Sequence, residues 1–499
     1  MRLHNLAQRG DGTGRKLRDI QVTALNWVEA AWAEGKHLAL SLPVGVGKSL
    51  IAKTIQNATG AAIVTPNNTL VQQYVTTYPE LPAVIGKTKY HCDDGKSSCS
   101  YIQDTLQLTA CQNCPYSKAK DAYSNAKPAV FNPISLFHAR KSDDFRDYSV
   151  IVIDEAHAVL SLLHTLNSEK IHFNPSQLHK IYDINSAEDL VNEKYLLKFL
   201  RKELEMRVED YERFSHVWTN VKRTRRNKRI AAMDNIVYGL ENDPQLYAAH
   251  LDKNSVIIRC VKLPKSIVKK AFGNARLILL SATLFKPDLA ELLQDEAYEY
   301  LDLPSPISVD SRPVYFQPTP FKINYLTDPA DIAVEIEAIL AKYQRVNTLV
   351  HLPYSIAHKV AAHMSTPVIT HTKEDKDEKL KRWLISGGVF VGSGLYEGLD
   401  LKGDLCRLNI IVKIPYPNLG DVLVTKRKAL KDGDLWYAAE SLKAVVQSVG
   451  RSTRGEDDYS DTWIMDPSFA GLVARNAHWL PFSFTSSIIW GRSHVKKVG

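Results

Sequence analysis

Val150-Ile151-Val152-Ile153-Asp154-Glu155-Ala156-His157 is an apolar run that ends in two adjacent carboxylates and a histidine. Four β-branched residues in succession read as a strand of a parallel sheet, buried on both faces. An Asp-Glu pair at the carboxyl end of such a strand is what hydrolysis of a nucleoside triphosphate requires. Asp154 is suited to hold Mg²⁺, directly or through water, and Glu155 to polarise a water for in-line attack at the γ-phosphate. A buried strand that merely ends in acidic residues is the plain alternative, and a four-letter match does not separate the two.

A second stretch upstream does. His37 to Leu42 reads as a short strand, followed by Pro43-Val44-Gly45-Val46-Gly47-Lys48-Ser49 and an apolar helical run from Leu50 to Ile55. Gly45 and Gly47 allow backbone amides to close around phosphate oxygens at a helix amino terminus. Lys48 supplies charge to the β- and γ-phosphates, and the Ser49 hydroxyl supplies a Mg²⁺ ligand. The strict phosphate-loop pattern has Gly where this chain has Leu42, but the tight part of the loop runs from Gly45 to Ser49.

The chain is 499 residues long, 44% of them hydrophobic, with a formal charge of +8. That is ample material for two or more cores, and the basic balance favours an acidic partner such as nucleic acid. No apolar run is long enough to span a bilayer, and residues 1–14 lack the hydrophobic stretch of a secretory signal. A cytoplasmic, reducing compartment is therefore expected, with no membrane partner.

Four of the six cysteines crowd into one segment: Cys92, Cys99, Cys111 and Cys114, with six, eleven and two residues between them. In a reducing compartment such a group points to metal rather than disulfides. Thiolates suit both zinc and iron-sulfur clusters. The spacing does not choose between them, and the residue chemistry alone places zinc slightly ahead. Cys260 and Cys406 sit in apolar surroundings and read as buried small hydrophobes.

Strand-helix alternation, the mark of an α/β fold, appears at both ends of the chain. Ala61 to Val64 is a strand candidate before a helix from Thr69 to Tyr78, the rhythm of a parallel sheet. From about Glu193 to Asn242 the pattern is charged and helical, with Leu196, Leu197, Leu200 and Leu204 on one face, and it reads as a helical insertion. The first sheet resumes at Ala275 to Leu280, which leads into Ser281-Ala282-Thr283-Leu284. Pro304 to Pro318 reads as a linker. A second sheet is expected from Asn347 to His351, Val389 to Val391 and Asn409 to Ile414, followed by a helix from Ala438 to Val449. Past that helix, Arg451 and Arg454 are spaced to approach one anion. Surface arginines at a solvated helix end are the plain alternative.

Taken in order, Arg18 with Gln21, Gly45 to Ser49, the Asp-Glu-Ala-His box at 154–157, Ser281 to Leu284, Glu397 to Asp400 and Gln447 to Arg454 resemble the helicase motifs of superfamily 2. More narrowly, the segments Gly86 to Cys92 and Cys111 to Tyr116, the placement of the four cysteines between phosphate loop and carboxylate strand, and Lys413-Ile414-Pro415-Tyr416-Pro417 are similar to the XPD and DinG branch. The resemblance reaches most of the chain outside residues 160–258.

The resemblance implies two RecA-like motor domains. The first comprises residues 1–85, 128–157 and 259–303, and the second 304–499. It also implies a cysteine-rich iron-sulfur domain at 86–127 and a helical arch-like insertion at 158–258. It moves the cysteine assignment from zinc to a [4Fe-4S] cluster, although the cysteine spacing is not that of the better-known members. It implies an ATP-dependent translocase and helicase acting 5′ to 3′ on single-stranded and tailed duplex DNA, as a monomer. Arg18, Gln21, Gln447 and Asp400 fall at positions of its ATP site, alongside the phosphate loop. Arg451 and Arg454 fall where its second motor domain delivers arginine charge to ATP. His157, Ser281 and Thr283 read as couplers between nucleotide and strand. Thr65, Gln72 with Gln73, and Ser355 are placed to hydrogen-bond phosphates of the strand.

The run Lys222-Arg223-Thr224-Arg225-Arg226-Asn227-Lys228-Arg229 is the strongest basic cluster, equally readable as a solvated helical face or a DNA-tracking surface. No aromatic residue interleaves it. A different activity class, an ATP-dependent RNA or nucleoprotein remodeller with a structural zinc site, fits the same phosphate chemistry.

Overall fold

In a computed structural model, Val150–Asp154 is a strand buried along its whole length. The structure describes residues 5–43, 45–84, 90, 115–124, 128–140, 145, 147–294, 296–372, 374–394, 401, 403–449, 453 and 458–491. It separates into two units: Met1–Leu40, Lys48–Leu301 and Asn418–Gly433 form one, and Ser41–Gly47, Asp302–Pro417 and Asp434–Gly499 the other.

The first sheet takes strands β1 (His37–Ser41), β2 (Ala62–Val64), β3 (Ala83–Val84), β4 (Val130–Phe131) and β5 (Val150–Asp154). Three further strands, β6 (Glu169–His172), β7 (Tyr247–Leu251) and β8 (Ser255–Cys260), form a separate sheet. The first sheet is then completed by β9 (Arg276–Ser281) and β10 (Tyr298–Asp302). Its order is β10-β1-β9-β5-β2-β4-β3, and β5 runs parallel to both β2 and β9. Parallel pairing follows from the crossover helices, because Lys48–Thr59 returns the chain from β1 to β2 and Asn68–Thr77 leads on from β2 towards β3. The expected strand at His37 to Leu42 and the helix from Leu50 to Ile55 thus appear with shifted ends.

Residues 158–258 differ from the all-helical expectation. Two long helices, Glu193–Phe214 and Asn220–Asn242, are present, but the stretch also carries the antiparallel sheet β6-β8-β7. Strands β7 and β8 are joined by a tight turn in which Asp252 and Ser255 exchange backbone hydrogen bonds and Lys253 adopts φ 53°. Leu196, Phe199, Leu200, Met233 and Ile236 share one continuous core with Ile151 and Ile153 of β5. The insertion is thereby built onto the first sheet rather than tethered to it.

The second unit holds β11 (Val314–Phe316), β12 (Thr348–His351), β13 (Val368–Thr370), β14 (Val389–Gly392), β15 (Leu408–Ile411), β16 (Asp461–Ile464) and β17 (Ile488–Trp490), in the order β13-β14-β12-β15-β16-β11-β17. Val350 and Leu349 of β12 point into separate cores on the two faces, as a central parallel strand requires. The proline-rich stretch expected as a linker is only partly one, because its end is β11, which pairs with β16 and β17.

Residues 418–433 depart from the expected extent of the second domain and belong to the first unit. There Arg427 is 2% exposed and makes two hydrogen bonds to Asp432, at 2.7 and 3.1 Å, with Glu291 at 3.7 Å. Lys262 joins Asp432 at 2.8 Å. A buried guanidinium needs such carboxylates, since an unpaired charge there costs several kcal/mol, on the order of 3–5.

Candidate functional site

The site grows from the carboxyl ends of three adjacent strands, where parallel α/β sheets bind their ligands. β9 separates β1 from β5. Leu280 is in register with Asp154, so Ser281 stands one residue beyond the carboxylate.

Asp154 is 2% exposed. Its Oδ1 accepts the Glu155 backbone N–H at 3.0 Å. Its Oδ2 accepts the Tyr74 hydroxyl at 2.8 Å and faces the Ser49 hydroxyl at 3.4 Å. Burial and the neighbouring Glu155 charge raise its pKa to about 6, against the opposing pull of Lys48, Tyr74 and the Glu155 N–H. A hydroxyl and a carboxylate converging in this way are hard oxygen donors of the kind Mg²⁺ takes. Ser49 and Asp154 would hold that ion.

Lys48 opens the helix Lys48–Thr59 and pairs with Glu155 at 3.1 Å. In the loop before it, Gly45 and Gly47 adopt φ 81° and 84°, values open to glycine at no steric cost. Glu155 itself has φ 52° and ψ 53° at the amino terminus of the helix Ala156–Leu166, an uncommon conformation for a residue with a side chain.

From Glu155 a polar chain runs across the strand ends. His157 Nδ1 lies 3.6 Å from the Glu155 carboxylate and 2.8 Å from the Ser281 hydroxyl, whose oxygen accepts the Thr283 N–H at 3.1 Å. Ser281 and Thr283 are buried. The residues expected to act as couplers are therefore linked to the carboxylate pair through direct contacts.

Arg18 and Gln21 stand at the start of the helix Asp19–Ala31. The buried Gln21 side chain accepts the Arg18 backbone N–H at 2.9 Å. Thr65 follows β2 and is buried, its hydroxyl bonding the Asn67 carbonyl at 3.2 Å, while Gln72 and Gln73 are exposed on the helix Asn68–Thr77. In the second unit Ser355 is exposed on the helix Tyr354–Ala362, and Gln447 lies near the end of Gly433–Val449. Asp400, Arg451, Arg454, Cys92, Cys99, Cys111 and Cys114 lie outside the described residues. Among the described residues no group of three or more His, Cys, Asp or Glu could hold a metal ion. Cys260 and Cys406 are buried, as expected.

Two contacts were not foreseen from the sequence. Tyr74 reaches Asp154 from a neighbouring helix; its signal was a tyrosine at a core position, whose hydroxyl must find a partner when buried. Trp218 lies outside the basic run, yet Lys222 sits 4.9 Å and Arg226 5.7 Å from its ring.

Residues 15–199 match the family model described as type III restriction enzyme, res subunit, and residues 340–484 match that of a helicase C-terminal domain. Among curated relatives, the ATP-dependent DNA helicase CHL1 of Vanderwaltozyma polyspora is 38% identical over 102 residues, which are 17% of this chain and 12% of that protein. CHL1 of Candida glabrata is 36% identical over 110 residues, or 18% and 13%. The chain thus spans about an eighth of the length of the curated relatives it matches. Two solved structures match almost throughout. One, named XPD helicase, has a TM-score of 0.59 at 16% identity, covering 95% of this chain and all of its own. Xpd4 of S. tokodaii has 0.55 at 15%, with the same coverage. At such identities the likeness is one of fold. Among the described residues no helix is long and apolar enough to cross a membrane.

Proposed function

We propose that this chain belongs to the XPD/DinG-like branch of the superfamily 2 helicases, a reading that its family-model matches and its fold support, and that it is an ATP-driven single-stranded DNA translocase and DNA helicase moving 5′ to 3′. The observation that carries the ATPase part is the meeting of Ser49, Asp154, Lys48 and Glu155 at the strand ends. Incoming phosphate oxygens compete with Glu155 for the Lys48 ammonium. Glu155, so released, is the group that orients and polarises water; Asp154 and Ser49 would hold Mg²⁺, which when bound would supply positive charge to the phosphates.

Arg451 and Arg454 are proposed to meet the γ-phosphate as it departs, with Gln21, Arg18, Gln447 and Asp400 binding the rest of the nucleotide. The contacts from Glu155 through His157 to Ser281 and Thr283 support a route by which loss of the γ-phosphate changes the grip of Thr65, Gln72 and Ser355 on the strand. Cys92, Cys99, Cys111 and Cys114 supply four thiols, a complete ligand set for a [4Fe-4S] cluster, which would act as a structural clip for residues 86–127. Residues 158–258 are proposed as the arch-like insertion.

ATP turnover measured with single-stranded DNA, duplex DNA and RNA, followed by unwinding of duplexes with one 5′ or one 3′ tail, tests the reading. Stimulation by single-stranded DNA and unwinding of the 5′-tailed substrate are expected. Preference for the 3′ tail would overturn the polarity and leave the ATPase standing. Stimulation by RNA alone would favour a remodeller of RNA or nucleoprotein.

A further inference from the structure

We infer that Tyr74 is a positioning residue of the nucleotide site, through which the helix Asn68–Thr77 sets the orientation of the Asp154 carboxylate and so couples strand binding to cation binding. The inference rests on the nucleotide and strand reading above and assigns the link to a single hydroxyl.

The two oxygens of Asp154 are pinned by different donors. The Glu155 N–H, on the next residue, holds Oδ1. The Tyr74 hydroxyl, on a separate element, holds Oδ2, the same oxygen that faces Ser49. A carboxylate oxygen has two lone-pair directions. With one given to Tyr74, the other is aimed at the place where Ser49 and Asp154 meet. The phenol is 2% exposed, and burial together with the Asp154 charge keeps it protonated and hence a donor. An O–H···O⁻ bond is among the stronger hydrogen bonds and is sensitive to small displacements.

The same helix shows its other side to solvent. Gln72 and Gln73 are exposed while Val71 and Tyr74 are buried. Its first turn is fixed by Asn67, which accepts the Leu70 N–H at 2.9 Å. The exposed glutamines and the buried tyrosine thus sit on one capped, continuous helix, Asn68–Thr77. A phosphate backbone drawing on Gln72 and Gln73 displaces the Tyr74 hydroxyl against Asp154, and a cation bound at Asp154 resists that displacement. Such coupling is reciprocal.

Mn²⁺ binding followed by electron paramagnetic resonance on the full chain, with ADP and with or without oligo(dT), tests this in wild type, Tyr74→Phe and Tyr78→Phe. Tyr78 caps the carboxyl end of the same helix and donates to Asp11 at 2.9 Å, so its variant controls for loss of a buried hydroxyl away from the cation. Oligo(dT) should shift Mn²⁺ affinity in wild type. Tyr74→Phe should bind ADP in EDTA as wild type does, yet weaken Mn²⁺ by about tenfold or more and lose the response to oligo(dT). Tyr78→Phe should keep both. Unchanged Mn²⁺ affinity and DNA response in Tyr74→Phe would overturn the inference, even if the variant melted earlier. Should Tyr74→Phe bind no ADP in EDTA, Tyr74→Met carries the same comparison. Failure of wild type to bind ADP would instead sink the nucleotide reading, and this inference with it.

Discussion

Lys48 and Glu155 form an ion pair 3.1 Å long across the end of the first sheet, so the cation proposed to meet phosphate and the carboxylate proposed to polarise water hold each other in place. The pair makes their substitutions distinguishable. Lys48→Ala should abolish productive ATP binding, read by equilibrium titration with a fluorescent nucleotide. Glu155→Gln should retain ATP and DNA binding but lower turnover by about 10²–10⁴-fold, the usual worth of a positioned base. Efficient unwinding by Glu155→Gln would refute its role.

Arg451→Ala should leave much of the ATP binding and lower DNA-stimulated turnover by about a thousandfold, because arginine charge acts mainly as the γ-phosphate leaves. Steady-state kinetics with saturating single-stranded DNA decide this. Near-normal turnover would shift the role to Arg454.

Arg427→Met should destabilise the first unit by about 3–5 kcal/mol, since Asp432 and Glu291 lose their buried cation. Denaturant unfolding measures it. Arg427→Met combined with Asp432→Leu should recover part of the loss, which separates an uncompensated charge from a packing defect.

His164 gives a pH dependence. Burial disfavours its charge, but hydrogen bonds with Cys260 and with Glu291, at 2.8 Å, outweigh this and raise its pKa from 6.5 to about 10. The folded state therefore holds a proton that the unfolded chain releases earlier. The resulting stability is fully present below pH 6.5 and is lost as pH rises through about 10. Melting temperature should fall over that interval in wild type and less steeply in His164→Gln. Parallel curves would show that His164 carries no proton-linked stability.

The four clustered thiols predict that protein purified without oxygen is brown and contains iron with acid-labile sulfide; stoichiometric zinc alone would replace the cluster by a zinc site. Cys111→Ser or Cys114→Ser should impair unwinding more than ATP binding. Equal loss of both would mean that residues 86–127 support the whole motor fold.

The strands that carry the chemistry were legible because burial on both faces leaves continuous apolar runs. Val150 to Ile153 and Leu277 to Leu280 are examples. Strands β7 and β8 were not, because they follow two charged helices directly and one face of each covers the helical core, so their alternation is short and incomplete. Arg427 could not be foreseen at all: a basic helix in the second half of the sequence looks like surface, and only Glu291 and Asp432, 136 residues and five residues away, make it interior. At the site, the placement of Lys48 and Asp154 at the strand ends was readable by residue type and spacing. Tyr74 was not, since its role depends on which strand end its helix crosses.

Glu155 occupies the left-handed region at φ 52°, where asparagine and glycine are the comfortable residues. Relaxing the backbone there with asparagine or glycine is worth about 1 kcal/mol, set against the loss of the ion pair with Lys48, and on the proposed reading of Glu155 it would end hydrolysis. On that reading, a descendant with the relaxed backbone would still hold nucleotide and strand but no longer advance.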